Sequence, residues 1–172
     1  MLKRVAVIGN CGAGKTWLSA QIARKLDLPV VHLDAHFWRP GWVQPDQDEW
    51  RAQVAELVKE DEWVLDGNYT SSLDLRLPRA DLVVWLDLGR VTCEYRAVRR
   101  WWTNRGKERA DRAAGCPEAI DWQFLKYVWR FRRDTAPRIE AALGDFQPLV
   151  RLRSRREVAR YLQGDPGDIG WR

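Results

Sequence analysis

Residues 9–16, GNCGAGKT, constrain this chain more than any other stretch, because they fit G-x-x-x-x-G-K-[ST] in the context that motif requires. Before them, KRVAVIG is a short apolar run ending in glycine and predicts a buried strand. After them, TWLSAQIARKLDL repeats apolar residues at helical spacing until Pro29. Glycines at this spacing let the backbone curl until successive N–H groups point inward, and the helix N-terminus adds partial positive charge. A polyphosphate is the natural occupant. Lys15 is placed to reach the β and γ phosphates and the Thr16 hydroxyl to hold Mg2+, while Gly9, Asn10, Cys11, Gly12, Ala13, Gly14 and Trp17 surround the nucleotide. The expected cofactors are ATP and Mg2+.

The pattern after Pro29 alternates. PVVHLD predicts a second strand, PDQDEWRAQVAELVKED an acidic-started amphipathic helix, EWVLDG a third strand and ADLVVWLDLG a fourth, apolar enough to be buried on both faces. Strands alternating with helices imply parallel crossovers and an α/β sheet covered on both faces. Beyond Gly89 the text changes: RVTCEYRAVRRWWTNRG reads as helix, KERADRAAGCP as a polar, glycine-punctuated segment, and PEAIDWQFLKYVWRFRRD as helix again. Two helices around a basic irregular segment suggest a lid insert at about 103–117. QPLVRLRS restores a strand and SRREVARYLQ a final helix, so residues 1–163 read as one domain and 164–172 as a loose tail.

Composition narrows the partners. The 172 residues are 45% hydrophobic, enough for one core, and the formal charge of +5 with a pI near 9.4 favours anionic ligands. Between Arg96 and Arg133, nine Arg and two Lys face only Glu108, Asp111, Glu118 and Asp121, so the basic excess is concentrated in and around the insert. Cys11, Cys93 and Cys116 are odd in number and far apart, which gives no disulfide framework and no C-x-x-C motif. No apolar run approaches the roughly 18 residues of a membrane span, and a cytoplasmic protein, monomer or homodimer, is expected. Most of the eleven Trp should be packed, with a few covering a ligand.

HLDAHFWRPGW, DGNY, LDLRLPRAD and GCPE, together with the N-terminal phosphate loop, resemble the nucleoside monophosphate kinase and shikimate kinase branch of P-loop proteins. More narrowly they resemble the adenylate-kinase-related DNA topology modulation (FlaR-like) proteins, over nearly the whole chain up to about Gln163. The resemblance implies a P-loop nucleoside triphosphate hydrolase fold, a three-layer α/β/α sandwich with a parallel five-stranded sheet and a basic helical lid. It does not carry AMP with it, because the D-G-F-P-R acceptor segment of adenylate kinases is here DGNYTSSLDLR. Nor does it carry a zinc-bound lid, since the lid has the single cysteine Cys116.

Phosphoryl transfer needs positioned Mg2+, cations on the moving group and a residue that orients the acceptor oxygen. Asp66, ending the third strand, is the candidate for Mg2+ waters, with Asp87 the alternative Walker-B-like carboxylate. Asp34, ending the second strand, is the candidate acceptor-orienting group or general base, since ligands of open α/β sheets gather at strand carboxyl ends. Read alone, H-x-D-x-H on a strand would align His32, Asp34 and His36 on one face about 6 to 7 Å apart, as a metal site would need. Behind a phosphate loop the same stretch becomes an acceptor loop, with His36, Trp38 and Trp42 beside the acceptor and Gly67, Asn68 and Tyr69 opposite. Arg76 is read as a cation for the acceptor's phosphate or carboxylate, or else as a surface residue. Arg105 and Arg109 in the lid and Arg133 beyond it are read as cations on the triphosphate, and Arg153 or Arg155 as stacking on the base.

The leading expectation is a small-molecule ATP-dependent kinase whose acceptor is a nucleotide or nucleoside, ahead of a shikimate-like or sugar-acid metabolite. The competing class is a nucleic-acid-associated regulatory ATPase. It is disfavoured because no helix-turn-helix, zinc-finger or single-strand-binding signature is present and the basic excess lies where a kinase lid needs it.

Overall fold

Val5, Ala6, Val7 and Ile8 have no solvent exposure, which marks β1 (Arg4–Gly9) as a central strand. Alternate residues serve opposite faces: Ala6 and Ile8 join one apolar cluster, Val5 and Val7 the other. The structure, a computed structural model, describes residues 2–104, 113–117 and 119–164. Its sheet has five parallel strands in the order β2-β3-β1-β4-β5, with β2 at Val30–His32, β3 at Trp63–Asp66, β4 at Leu82–Leu86 and β5 at Leu149–Leu152. The expected three-layer architecture is therefore the observed one.

One face is closed by α1 (Lys15–Leu26), which buries Leu18 and Ile22 at i, i+4, and by α8 (Arg155–Gln163), which buries Tyr161. Ser154 caps α8 by accepting from the Glu157 amide at 3.1 Å, and Glu157 reaches back to the Arg153 amide at 2.8 Å. The other face is closed by α3 (Gln47–Leu57), capped by Asp46 and burying Trp50 and Val54, and by α7 (Ala136–Leu143), burying Ile139 and Leu143. Between β3 and β4 the chain makes one turn of α-helix, α4 (Leu73–Arg76), flanked by two 3-10 turns. After β4 come α5 (Arg90–Asn104) and α6 (Trp122–Asp134).

The sequence reading fails at three boundaries. The second strand stops at His32, and Leu33–Phe37 form a short helix, α2, because fully buried Leu33 and the aromatic Phe37 are packed by turning the chain rather than extending it. The helix expected from Pro117 starts at Trp122, where Asp121 accepts the Phe124 amide at 2.7 Å and caps it. Helix α7 was not expected at all; Pro137 sits in its first turn, where a missing N–H costs nothing. The core of the proposed lid, residues 105–112, and the tail beyond Gly164 lie outside the described residues.

Candidate active site

The phosphate loop is fastened from three sides. Gly12, at φ 78°, lies so close to the first turn of α5 that a Cβ there would come 2.1 Å from the Cys93 carbonyl oxygen. From α6, the Val128 carbonyl accepts from the buried Asn10 side chain at 2.8 Å; from the loop after β3, Asn68 Oδ1 accepts the Gly9 amide at 2.8 Å. Lys15 Nζ donates to the Asn10 carbonyl at 3.2 Å, which holds the ammonium across the loop. Arg96 of α5 donates to the Ala13 carbonyl at 3.0 Å.

A cleft of about 750 Å3 opens on this loop. Cys11, Gly12, Ala13, Gly14, Lys15 and Thr16 form its floor, and Trp17 its edge on α1. Asp34, Asp66 and Gly67 close one end; Tyr95, Arg96, Arg99 and Arg100 of α5 form a basic wall; Arg155, Val158 and Ala159 of α8 face it. The cleft thus unites the expected Lys15, Thr16, Trp17, Asp34, Asp66, Gly67 and Arg155.

Asp66 is buried, and its Oδ2 accepts the Ser19 hydroxyl at 2.9 Å and lies 3.1 Å from His32 Nδ1. Asp34 stands in the first turn of α2, where its Oδ1 accepts the Tyr69 hydroxyl at 2.6 Å. The helical turn removes the shared face that an extended H-x-D-x-H would have, so His32 turns to Asp66 while Asp34 meets Tyr69. Tyr69 packs against Phe37 and Trp50 with ring centroids 4.5 and 4.9 Å away. Burial, reinforced by the charge and hydrogen bond of Asp34, pushes its hydroxyl pKa up, so it stays a donor.

Other expectations change. Arg76 neither meets an acceptor nor lies on the surface: it is fully buried, with its donors on the carbonyls of Gly67, Asn68, Tyr69 and Ser72. Arg133 is exposed and paired with Asp134 at 2.8 Å, outside the cleft lining. Arg153 is also outside the lining, 4.0 Å from Asp87. Asp87 itself is tied to Arg132 at 3.2 Å and Arg151 at 2.9 Å, a structural anchor at the end of β4. His36, Trp38 and Trp42 do not line the cleft. Trp38 packs edge-on to Trp42, and the Trp42 indole N–H donates to the Pro117 carbonyl at 3.2 Å, so this turn grips the segment 115–117. Gly41 N–H to the Gly115 carbonyl, at 2.9 Å, is a second clasp. Arg105 and Arg109 lie outside the described residues.

The cations that the structure does bring to the cleft, Arg96, Arg99 and Arg100, were passed over in the sequence. Their i, i+3, i+4 spacing on one predicted helix was the available signal. Ser19, which holds Asp66 together with His32, carried none.

No protein-family model and no curated protein matches the chain. Solved structures do. Shikimate kinase from Bacteroides thetaiotaomicron superposes with a TM-score of 0.59 at 18% identity, covering 95% of this chain and 95% of that one. A gluconokinase from Sinorhizobium meliloti 1021 gives 0.57 at 17% identity, covering 94% and 87%. Deoxyadenosine kinase from M. mycoides, solved with dCMP and dCDP, gives 0.56 at 14% identity, covering 92% and 94%. The fold is that of the P-loop kinases. At these identities the likeness speaks for the architecture, and the chemistry has to be argued from the cleft.

Proposed function

We propose that this protein is an ATP-dependent phosphotransferase that moves the γ-phosphoryl group to a small acceptor, a nucleotide or nucleoside ahead of a shikimate-like or sugar-acid metabolite. One observation carries the reading: a single cleft joins the phosphate loop, with Lys15 and Thr16, to two carboxylates at the carboxyl edge of the sheet, Asp34 and Asp66. Phosphoryl donor and acceptor can therefore lie end to end.

The side chains fit the ligands. Thr16 and Asp66 offer hard oxygen donors, the type Mg2+ prefers, one directly and one through waters. Mg2+ bound there would neutralise charge on the β and γ phosphates. Lys15 would exchange its carbonyl partner for the phosphates, and the basic wall of α5 would balance the remaining charge. Arg105 and Arg109 of the insert are proposed to add to that wall. Asp34 would accept a hydrogen bond from the acceptor hydroxyl and take its proton as the bond to phosphorus forms. A protein of this kind acts where ATP and Mg2+ are available, in the cytoplasm. We place it with the adenylate-kinase-related DNA topology modulation (FlaR-like) proteins on the strength of the motifs in residues 32–42, 66–69 and 73–81.

The test is ADP release measured across nucleosides, nucleoside monophosphates, shikimate and sugar acids, with Lys15→Ala as the blank. One acceptor class should stimulate release, and Asp34→Asn should remove all but a small residue of that stimulation while ATP binding survives. No stimulation by any class would sink the kinase reading. DNA binding with a steep salt dependence that survives Lys15→Ala would put the regulatory ATPase in its place.

A further inference from the structure

Arg76 is fully buried, and among the described residues no carboxylate pairs with it. Its guanidinium is spent on main chain: Nη1 donates to the Gly67 carbonyl at 2.9 Å, Nη2 to the Tyr69 carbonyl at 3.1 Å and to that of Asn68, and Nε to the Ser72 carbonyl at 3.4 Å. A buried cation is costly unless its donors are satisfied, so what these carbonyls hold is the point of interest. They belong to a strained turn. Tyr69 has φ 29° and ψ 68°, a left-handed conformation rare for an aromatic residue, and Gly67 leaves no room for a Cβ, which would lie 2.8 Å from the Leu33 Cβ.

That turn delivers two side chains to two different elements. The Tyr69 hydroxyl donates to Asp34 Oδ1 at 2.6 Å, and Asn68 Oδ1 accepts the Gly9 amide at 2.8 Å, at the first residue of the phosphate loop. A third contact, Asn68 Nδ2 to the Tyr127 hydroxyl at 3.4 Å, ties the turn to α6. One guanidinium thus stands behind both the Asp34 end of the cleft and the loop that floors it.

We propose that Tyr69 is a positioning residue for Asp34, and that Arg76, by holding the 67–69 turn, positions both Tyr69 and Asn68 and so keeps the acceptor-orienting carboxylate and the phosphate loop in register. Its consequence for turnover rests on the phosphotransferase reading above; its geometry does not. Two properties suit the roles. The Tyr69 hydroxyl stays protonated because burial and the Asp34 charge oppose its ionisation. Burial pushes the Arg76 pKa down to about 10, which still leaves a full cation at neutral pH to bind carbonyls.

Three variants separate the links, read by two measurements that need no acceptor: the carboxyl 13C resonance of Asp34 in aspartate-labelled protein, and the calorimetric Kd of MgATP. Tyr69→Phe keeps the ring in its stack with Phe37 and Trp50 but removes the hydroxyl. It should move the Asp34 resonance and leave the Kd unchanged. Asn68→Ala should do the reverse, weakening MgATP severalfold with the Asp34 resonance in place. Arg76→Lys, which cannot span the four carbonyls, should do both; if that variant does not fold, Asn68→Ala/Tyr69→Phe should reproduce the pair of effects. Once an acceptor is in hand, Tyr69→Phe should lower kcat on the order of 10²-fold at constant KM for ATP. In an Asp34→Asn background it should lower kcat no further.

An unmoved Asp34 resonance in Tyr69→Phe, an additive loss of rate in the double variant, or a folded Arg76→Lys with neither effect overturns the proposal. MgATP binding without any acceptor turnover in the parent protein would instead remove the kinase reading, while the resonance and affinity results still decide the positioning.

Discussion

Asp66 directs both of its described contacts at one oxygen, Oδ2, which takes the Ser19 hydroxyl and His32 Nδ1. Two partners on one oxygen fix the carboxylate plane, and in the proposed reading Oδ1 would face the Mg2+ waters, as an outer-shell ligand whose orientation matters as much as its charge. Asp66→Asn should therefore raise the Mg2+ concentration for half-maximal ADP release by roughly 10- to 100-fold, with little change in binding of metal-free ATP. An Mg2+ titration with the same midpoint in both proteins would return Asp66 to a purely structural role. At this scale the sequence revealed residues whose chemistry is tied to a motif or a strand end: Lys15, Thr16, Asp34 and Asp66 all face the cleft. It misread Arg76, because burial of a cation on carbonyls leaves no trace in residue type, and Arg133, because only the helix's rotation decides which of two adjacent arginines meets a carboxylate or solvent. Here Arg132 reaches Asp87 and Arg133 points away to Asp134.

Among the elements, the phosphate loop depends on α5 for more than the basic wall. The carbonyl of Cys93 occupies the space that any side chain at position 12 would need, and the loop has φ 78° there, a value natural to glycine alone. Gly12→Ala would have to push the loop off α5, loosening the Arg96 to Ala13 contact at 3.0 Å with it. The expected result is at least a 10²-fold loss of MgATP affinity, as for a misplacement of about 1 Å, with a lowered Tm. Calorimetry giving wild-type affinity would show that the loop can shift without consequence. The elements themselves were legible where one signal dominated. β1 and β4 are apolar on both faces, and α1 and α3 keep i, i+4 pairs of buried residues. Helix α2 was not, since five residues following a strand carry too little periodicity to declare a helix, and Asp34 was consequently put on the right edge of the sheet in the wrong backbone.

Across the whole molecule, the buried thiol and phenol groups on both sides of the sheet respond to alkali in the same direction. Burial pushes the Cys93 thiol up to about 11, with Lys15 and Arg96 opposing it, and raises the hydroxyl pKa of Tyr69, Tyr127 and Tyr161, the last buried with no hydrogen-bond partner among the described residues. An unfolded thiol releases its proton near pH 8.5 and an unfolded tyrosine near pH 10. Above those values the unfolded chain binds fewer protons than the folded one, so stability is complete below about pH 8.5 and falls as pH rises. The slope is about 1.4 kcal/mol per pH unit for each group that stays protonated in the fold, so the decline should begin with one proton and steepen beyond about pH 10 as the tyrosines join, with Arg76, whose burial-lowered pKa of about 10 acts in the opposite sense, offsetting one of them. Urea midpoints between pH 7 and 11 measure this directly. Cys93→Ala separates the contributions: it should remove the decline between pH 8.5 and 10 and keep the steeper limb that follows. A variant whose midpoints fall from pH 8.5 as the parent's do would show that the Cys93 sulfur, buried in the first turn of α5, is open to solvent and that the loop is less firmly packed on that helix than its contacts require.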